Sequence, residues 1–228
     1  MVGEKKSDGT WEVDGLQPWQ ETYKQIIKML LTDVPFKFAR YGDGEIFCMD
    51  GKVGHNCDHH EYFPDLGLAL HEAVKNANYM VGLQPLSIFE NHNIDYFRHL
   101  NLYNADVLHN ASIKKDLQKF FDALWFRRVI LVGPEYLSSL DLDSVHIKIP
   151  RVNCWQKFDD VCSFIKVEID FWKEKMNEPS VVLLCASMMS EVIIDKFRDS
   201  DSTFIDCGSV FDPYAGVRSR RYHQKLEI

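Results

Sequence analysis

Apolar side chains along residues 19–31 recur every three to four positions, with Trp19, Tyr23, Ile26 and Leu30 on one face, which predicts an amphipathic helix. Pro35 then punctuates the chain, and the run 36–40 that follows reads as a strand ending at a Gly-Asp-Gly turn. Further β-rich runs lie at 79–83, 105–108, 129–132, 145–149, 181–184 and 203–205. Most are continuously apolar rather than alternating, the pattern of strands covered on both faces. Helical spacing falls between them, at 66–76, 94–103, 113–124, 158–175 and 190–198. The alternation predicts an α/β fold, a single Rossmann-like domain over 1–228 with a mostly parallel sheet and helices on both faces. Residues 1–16 fall outside this rhythm and are expected to be poorly ordered or peripheral.

Such sheets bind ligands beyond the carboxyl ends of their strands. Four loops follow predicted strands there: Gly42-Asp43-Gly44-Glu45, Gly133-Pro134, Ala186-Ser187 and Asp206-Cys207-Gly208. In an extended or loosely turned backbone, Asp43 and Glu45 would point the same way and present two carboxylates to one hard cation. Gly42 and Gly44 would let backbone amides approach a phosphate, with Arg40 pairing to the same anion. Asp and Gly are also common turn residues and an isolated D-x-E is a weak signal, so on residue types alone the segment reads first as a solvated turn.

Composition narrows the classes. Hydrophobic residues make up 46% of 228, enough for a large core, yet no apolar run reaches the roughly 18 residues of a membrane span. Six cysteines without a C-x-x-C pair, and an amino terminus without an apolar signal core, lead us to expect a cytoplasmic protein. The net charge of −8 argues against wholesale binding to a nucleic-acid backbone, while leaving room for a local basic groove.

Other polar residues admit two readings. Between His55 and Glu61, metal-ligating types are too crowded for a tetrahedral zinc site. Asp58 or His60 could instead contact a sugar or act in proton transfer, or simply belong to a polar loop. Asp206 and Asp212 could complete a metal shell or deprotonate a hydroxyl, or serve as turn residues. Asn153 and Trp155 could hold a nucleotide base, although a tryptophan there could equally be core. Ala186 and Ser187 are small enough for a close phosphate approach at a helix start. The tail from Arg218 to Lys225 concentrates positive charge that suits a diphosphate, or forms a solvated terminus.

The segment Phe38-Ala39-Arg40-Tyr41-Gly42-Asp43-Gly44-Glu45-Ile46 resembles the signature of the GT-D class of glycosyltransferases. Residues 56–67, 129–134, 152–155, 204–208 and 219–222 resemble the same family in order and spacing, so the likeness covers most of the chain. It implies a nucleotide-sugar donor, usually a uridine diphosphate sugar. It also implies a divalent cation, Mn²⁺ or Mg²⁺, held through the D-x-E motif, here Asp43 and Glu45. The match at Ser219-Arg220-Arg221-Tyr222 implies that Arg220 or Arg221 lies near phosphate. Such a cation would stabilise negative charge on the diphosphate as the glycosidic bond breaks.

Similar domains act on bacterial glycans or occur in tailed bacteriophages, where a hydroxymethylated pyrimidine in viral DNA would be the acceptor and the host cytoplasm the setting. Residues 56–67 look more like the phage forms. A DNA acceptor would need the basic tail to form a local groove, to which Arg127, Arg128 and Arg151 could contribute. Two other classes compete: a non-catalytic nucleotide-sugar-binding module, and another metal-dependent phosphate-handling α/β enzyme. Donor sugar, stereochemical outcome and oligomeric state are not readable from these residues.

Overall fold

A computed structural model describes residues 3–6, 11–90 and 92–226. In chain order the strands and helices are β1 (Gly3–Lys5), β2 (Trp11–Val13), β3 (Leu16–Gln17), α1 (Trp19–Leu31), β4 (Lys37–Tyr41), α2 (Asp43–Met49), α3 (Pro64–Asn76), β5 (Met80–Leu83), α4 (Pro85–Phe89), β6 (Leu102–Asn104), α5 (Val107–Ile113), α6 (Gln118–Leu124), β7 (Arg128–Pro134), β8 (Ser144–Ile149), α7 (Phe158–Met176), β9 (Ser180–Leu184), α8 (Met189–Lys196) and β10 (Thr203–Asp206).

Eight of the described strands form one sheet in the order β3-β6-β5-β4-β10-β9-β7-β8, and every pairing in it is parallel. All five residues of β9 are buried, as a strand covered on both faces requires. Its alternate side chains go to two separate cores. Val182 and Leu184 join Ala39, Tyr41 and Ile130 beneath α2, α3, α7 and α8, while Val181 and Leu183 join Phe38, Val129 and Leu131 beneath α1, α5 and α6. The α/β architecture read from the alternation of apolar runs is the one observed.

Residues near the amino terminus take part in this frame. Strands β1 and β2 pair antiparallel as a separate ribbon, and Val13 and Leu16 are buried. Positions 1, 2 and 7–10 of the expected peripheral segment lie outside the described residues.

Three element expectations are corrected. The helix expected over 94–103 is a 3₁₀ turn, Asp95–Phe97, followed by β6. Ile94, Phe97 and Leu100 mimic a helical stripe because each packs on the core individually, Phe97 being fully buried 5.1 Å from the Tyr41 ring. Strand β6 is only three residues long and is held by pairing with β5, Val81 opposite Leu102. The strand expected over 105–108 is instead a turn and the start of α5. The helix expected over 113–124 divides into α5 and α6, because Lys115 takes φ 59° and closes α5 with a Schellman motif. In that motif the amide of Asp116 donates to the Ala111 carbonyl and that of Lys115 to Ser112. Tyr23 Oη then donates to the Asp116 carbonyl at 2.8 Å, tying the break to α1.

Candidate active site

Strands β4, β5 and β6 step outward in one direction from the middle of the sheet, whereas β10, β9 and β7 fill the other half. Between β4 and β10 the order reverses, and the loops at the carboxyl ends of the strands part there. A cavity of about 740 Å³ occupies this crevice. Residues following β4, β5, β6, β7, β8, β9 and β10 all reach it, among them Gly42, Gln84, Asp106, Tyr136, Arg151, Ser187 and Gly208.

The Gly42-Asp43-Gly44-Glu45 segment is not extended. Gly42 is the N-cap of α2, and Asp43 opens the helix. Neighbours two apart on a helix point about 200° apart, so the shared direction expected for Asp43 and Glu45 does not hold. Each carboxylate is instead tied to a nearby amide. Glu45 Oε2 accepts from the Gly42 N–H at 2.8 Å, the reach of a capping-box glutamate, and Asp43 Oδ1 accepts from Gly44 N–H at 2.9 Å. Both glycine amides expected to face a phosphate therefore already have carboxylate partners. A Cβ at Gly42 would meet only the mobile end of Gln84, its Oε1 at 2.9 Å, so sterics alone do not require glycine there.

Behind α2 lies a charged layer that neighbour-by-neighbour reading does not reveal. Arg40, at the end of β4, has a side chain only 13% exposed, and its Nε sits 3.9 Å from Asp206 Oδ2, beyond hydrogen-bond reach. Its Nε and Nη1 have no hydrogen-bond partner. Glu191 projects from the first turn of α8 and is 1% exposed, with Oε2 also unpartnered. Burial, then the proximity of Asp206 and Glu45, holds Glu191 well above the ordinary carboxyl range. Burial raises Asp206 as well, against the opposing pull of Arg40. Glu45 is pushed up to about 7 by burial, with Asp206 and Asp43 adding repulsion. His109 on α5 is driven down to about 4 by burial and by Arg40, so it is neutral at pH 7.

The opposite wall comes from the 56–60 loop and the tail. Asn56 organises the loop: its Oδ1 accepts the amides of Asp58 and His60, each at 3.0 Å, and its Nδ2 donates to Ser187 Oγ at 2.9 Å. Asp58 forms a two-pronged pair with Arg220, whose nitrogens donate to both carboxylate oxygens. Burial opposes ionisation of Asp58, but the Arg220 pair outweighs it and holds the carboxyl below its usual range. Asp212 receives the Tyr136 hydroxyl at 2.9 Å and the Ser219 hydroxyl on its other oxygen. Burial nevertheless raises its affinity for a proton. The basic tail is thus folded onto the cavity through Ser219 and Arg220.

Of the residues singled out in the sequence, Arg40, Gly42, Asp43, Gly44, Glu45, Asp58, Ser187, Asp212 and Arg220 line the cavity. Asn153, Trp155, Ala186, Arg221 and Tyr222 do not. Asn153 accepts the Glu61 amide at 2.9 Å and donates to the Glu61 carboxylate, bracing the loop from behind. Trp155 donates to Asp65 at 3.0 Å and leans on Phe158. Ala186 is buried and its carbonyl accepts from Cys154 Sγ. Arg221 is exposed, while the Tyr222 ring packs 5.0 Å from His109. Arg151 reaches the cavity, but Arg128 begins β7 at the opposite edge of the sheet and Arg127 pairs with Asp33 there. Neither Arg127 nor Arg128 lines the cavity that the tail reaches.

Glu191, His109, Gln84 and Tyr136 were missed. Only Glu191 leaves a trace in the sequence, as the acidic residue in the apolar run Met188-Met189-Ser190-Glu191-Val192-Ile193-Ile194 directly after a strand. Among the described residues no group of three or more His, Cys, Asp or Glu side chains is arranged to hold a metal ion. Asp43 and Glu45 offer carboxylate oxygens, the donor type a hard divalent cation prefers, but to share one cation both would have to turn from the Gly42 and Gly44 amides that now hold them. Burial is the main cause of the raised Glu45 proton affinity, and the smaller repulsion from Asp206 and Asp43 is what added positive charge would relieve.

No protein-family model matches the sequence, and no curated protein does. Solved structures do resemble it. A glycosyltransferase containing DUF1792, from Streptococcus sanguinis, aligns over 84% of this chain and 81% of its own with a TM-score of 0.65 and 15% identity. A structure of the highly conserved domain of unknown function 1792, described as a distinct glycosyltransferase fold, aligns over 90% of both chains with a TM-score of 0.64 and 13% identity. A selenomethionine-substituted structure of that domain gives a TM-score of 0.59 over 92% of this chain and 95% of that one, at 13% identity. The shared feature at such low identity is architecture, and on that ground this chain has the fold described for the glycosyltransferase domain of unknown function 1792.

Proposed function

We propose that the protein is a metal-dependent glycosyltransferase that moves a sugar from a nucleotide sugar, a uridine diphosphate sugar by preference, to an acceptor hydroxyl. The observation that carries this reading is Arg40. It stands at the reversal point of a sheet with a described glycosyltransferase fold, with two guanidinium nitrogens lacking any hydrogen-bond partner. Arg40 also lines the cavity, so a diphosphate bound there would place negative charge beside a guanidinium whose donors are incompletely used.

In this reading Arg40 pairs with the diphosphate, and Arg220, oriented by Asp58, adds a second positive charge from the tail. Asp43 and Glu45 would hold Mg²⁺ or Mn²⁺, which when bound stabilises the charge that builds on the departing diphosphate. The acceptor oxygen attacks the anomeric carbon, the bond from that carbon to the phosphate oxygen breaks, and the acceptor proton passes to a carboxylate. Asp212 suits that last role: it lines the cavity, and burial raises its affinity for a proton. The acceptor is a glycan or a hydroxymethylated pyrimidine of DNA. With Arg127 and Arg128 at the far edge, a DNA strand would have to be met by Arg151 and the tail alone.

The test is nucleotide release from a panel of nucleotide sugars, with Mn²⁺ or with EDTA, repeated on Asp43→Ala and Glu45→Ala proteins and in the presence of glycan or modified-DNA acceptors. Metal-dependent turnover of one donor, reduced at least about 100-fold in both variants, is expected. Binding of donor without turnover under any acceptor would assign a non-catalytic sugar-nucleotide module instead. Failure of folded protein to bind any nucleotide sugar overturns the reading.

A further inference from the structure

Helix α7 turns Val161, Cys162, Ile165 and Ile169 toward the sheet. It also carries an apolar stripe on its outer side: Phe164, Val167 and Phe171 are 60%, 62% and 44% exposed. Their spacing of three and then four residues stacks them on one line along a helix about 28 Å long. A solvent-facing stripe of two phenylalanines and a valine, rimmed by charge, is the mark of a contact surface.

The charges indicate what covers it. The amino-terminal end of the helix is acidic at Asp159 and Asp160, and the carboxyl-terminal end carries Lys173 and Lys175 with Glu174 between them. We propose that this stripe is the core of a two-fold homodimer in which the α7 helices of two copies pack antiparallel. A two-fold axis between Val167 and Glu168 places Phe164 opposite Phe171 of the second copy. The same register places Asp160 opposite Lys175, and symmetry makes that contact twice. A parallel pairing would set Asp160 against Asp160 and Lys175 against Lys175, which like-charge repulsion disfavours. In the single chain the partners of Asp160 and Lys175 are exposed and local. Lys157 lies 3.3 Å from Asp160, and Lys175 lies 4.8 Å from the Phe171 ring. Re-pairing them across an interface therefore gives up little.

This surface is independent of the catalytic reading, and its test needs no substrate. Sedimentation equilibrium of the full chain between about 1 and 100 µM should show a monomer–dimer equilibrium that weakens with salt. Val167→Glu should weaken dimerisation at least about ten-fold while the far-UV circular dichroism of the folded chain stays unchanged. Asp160→Lys should weaken it, and adding Lys175→Asp to the same chain should restore it, because the reversed pair is again complementary. A strictly monomeric protein over the whole range overturns the proposal. So does a dimer indifferent to Val167→Glu but lost on replacing the exposed Trp125 and Phe126, which lie before β7 on another surface. A dimer broken by Val167→Glu but equal in the single and double charge variants overturns the antiparallel pairing.

Discussion

Arg40 is the residue whose surroundings ask most plainly for a ligand. A guanidinium walled in by protein ordinarily uses its donors, because an unmade hydrogen bond to a charged group is costly. Here Asp206 balances the charge from 3.9 Å without accepting a hydrogen bond. Arg40→Ala should therefore weaken binding of uridine diphosphate by at least about ten-fold, as read by titration calorimetry, while leaving the fold intact. Arg40→Lys should recover only part of that affinity, since an ammonium keeps the charge but not the planar fork. The sequence named Arg40 because it precedes a Gly-Asp-Gly-Glu run, and the cavity contains it. It named Asn153 and Trp155 on equally reasonable chemistry, yet both are used to brace the 56–67 segment against the loop after β8. Residue type says what a side chain can do, and its direction depends on a backbone that local composition does not determine.

Helix α2 shows how one element converts a motif into a site. Seven residues long, it begins immediately at the end of β4, and its placement depends on close packing with α3. Gly67 is the contact point: a Cβ there would meet the carbonyl oxygen of Cys48 at 2.4 Å. Gly67→Ala should cost about 1–3 kcal/mol in urea unfolding and displace α2. Activity should fall further than the stability loss explains, because Asp43 and Glu45 ride on that helix. Long elements were legible beforehand: the amphipathic spacing of α1 and the apolar runs of β7 and β9 are strong local signals. Short ones were not. Strand β6 has three residues and exists through its pairing with β5, while α2 looked like a turn because its glycines and acidic residues are turn formers. A few residues carry too little periodicity to outweigh the contacts that select their conformation.

For the molecule as a whole, stability should record the acidic crevice. A carboxyl raised by burial binds its proton more tightly folded than unfolded, so its contribution is fully present below the unfolded value and is lost as pH rises through the folded one. For Glu45 that window runs from about 4.5 to about 7. The buried His109 and His223, both lowered to about 4, act in the opposite sense and remove stability as pH falls below about 6.5. The two effects offset each other through mildly acidic pH, leaving the carboxyl loss uncompensated above it. In EDTA, the melting temperature should decline from about pH 6.5 to 8, and Glu45→Gln should flatten that decline. A variant with the same slope as the parent would remove Glu45 from the account. What the sequence determined by itself was the α/β alternation of its longer elements, the predominance of strands covered on both faces, and a set of loops that would gather beyond the strand ends, because apolar periodicity is a local property of the chain. Tertiary structure alone decided that α2 is a helix, that Glu191 and His109 join Arg40, and that the tail returns to Asp58. Those relations join residues far apart along the chain, Asp58 and Arg220 among them, and are selected by packing and by the electrostatics of burial.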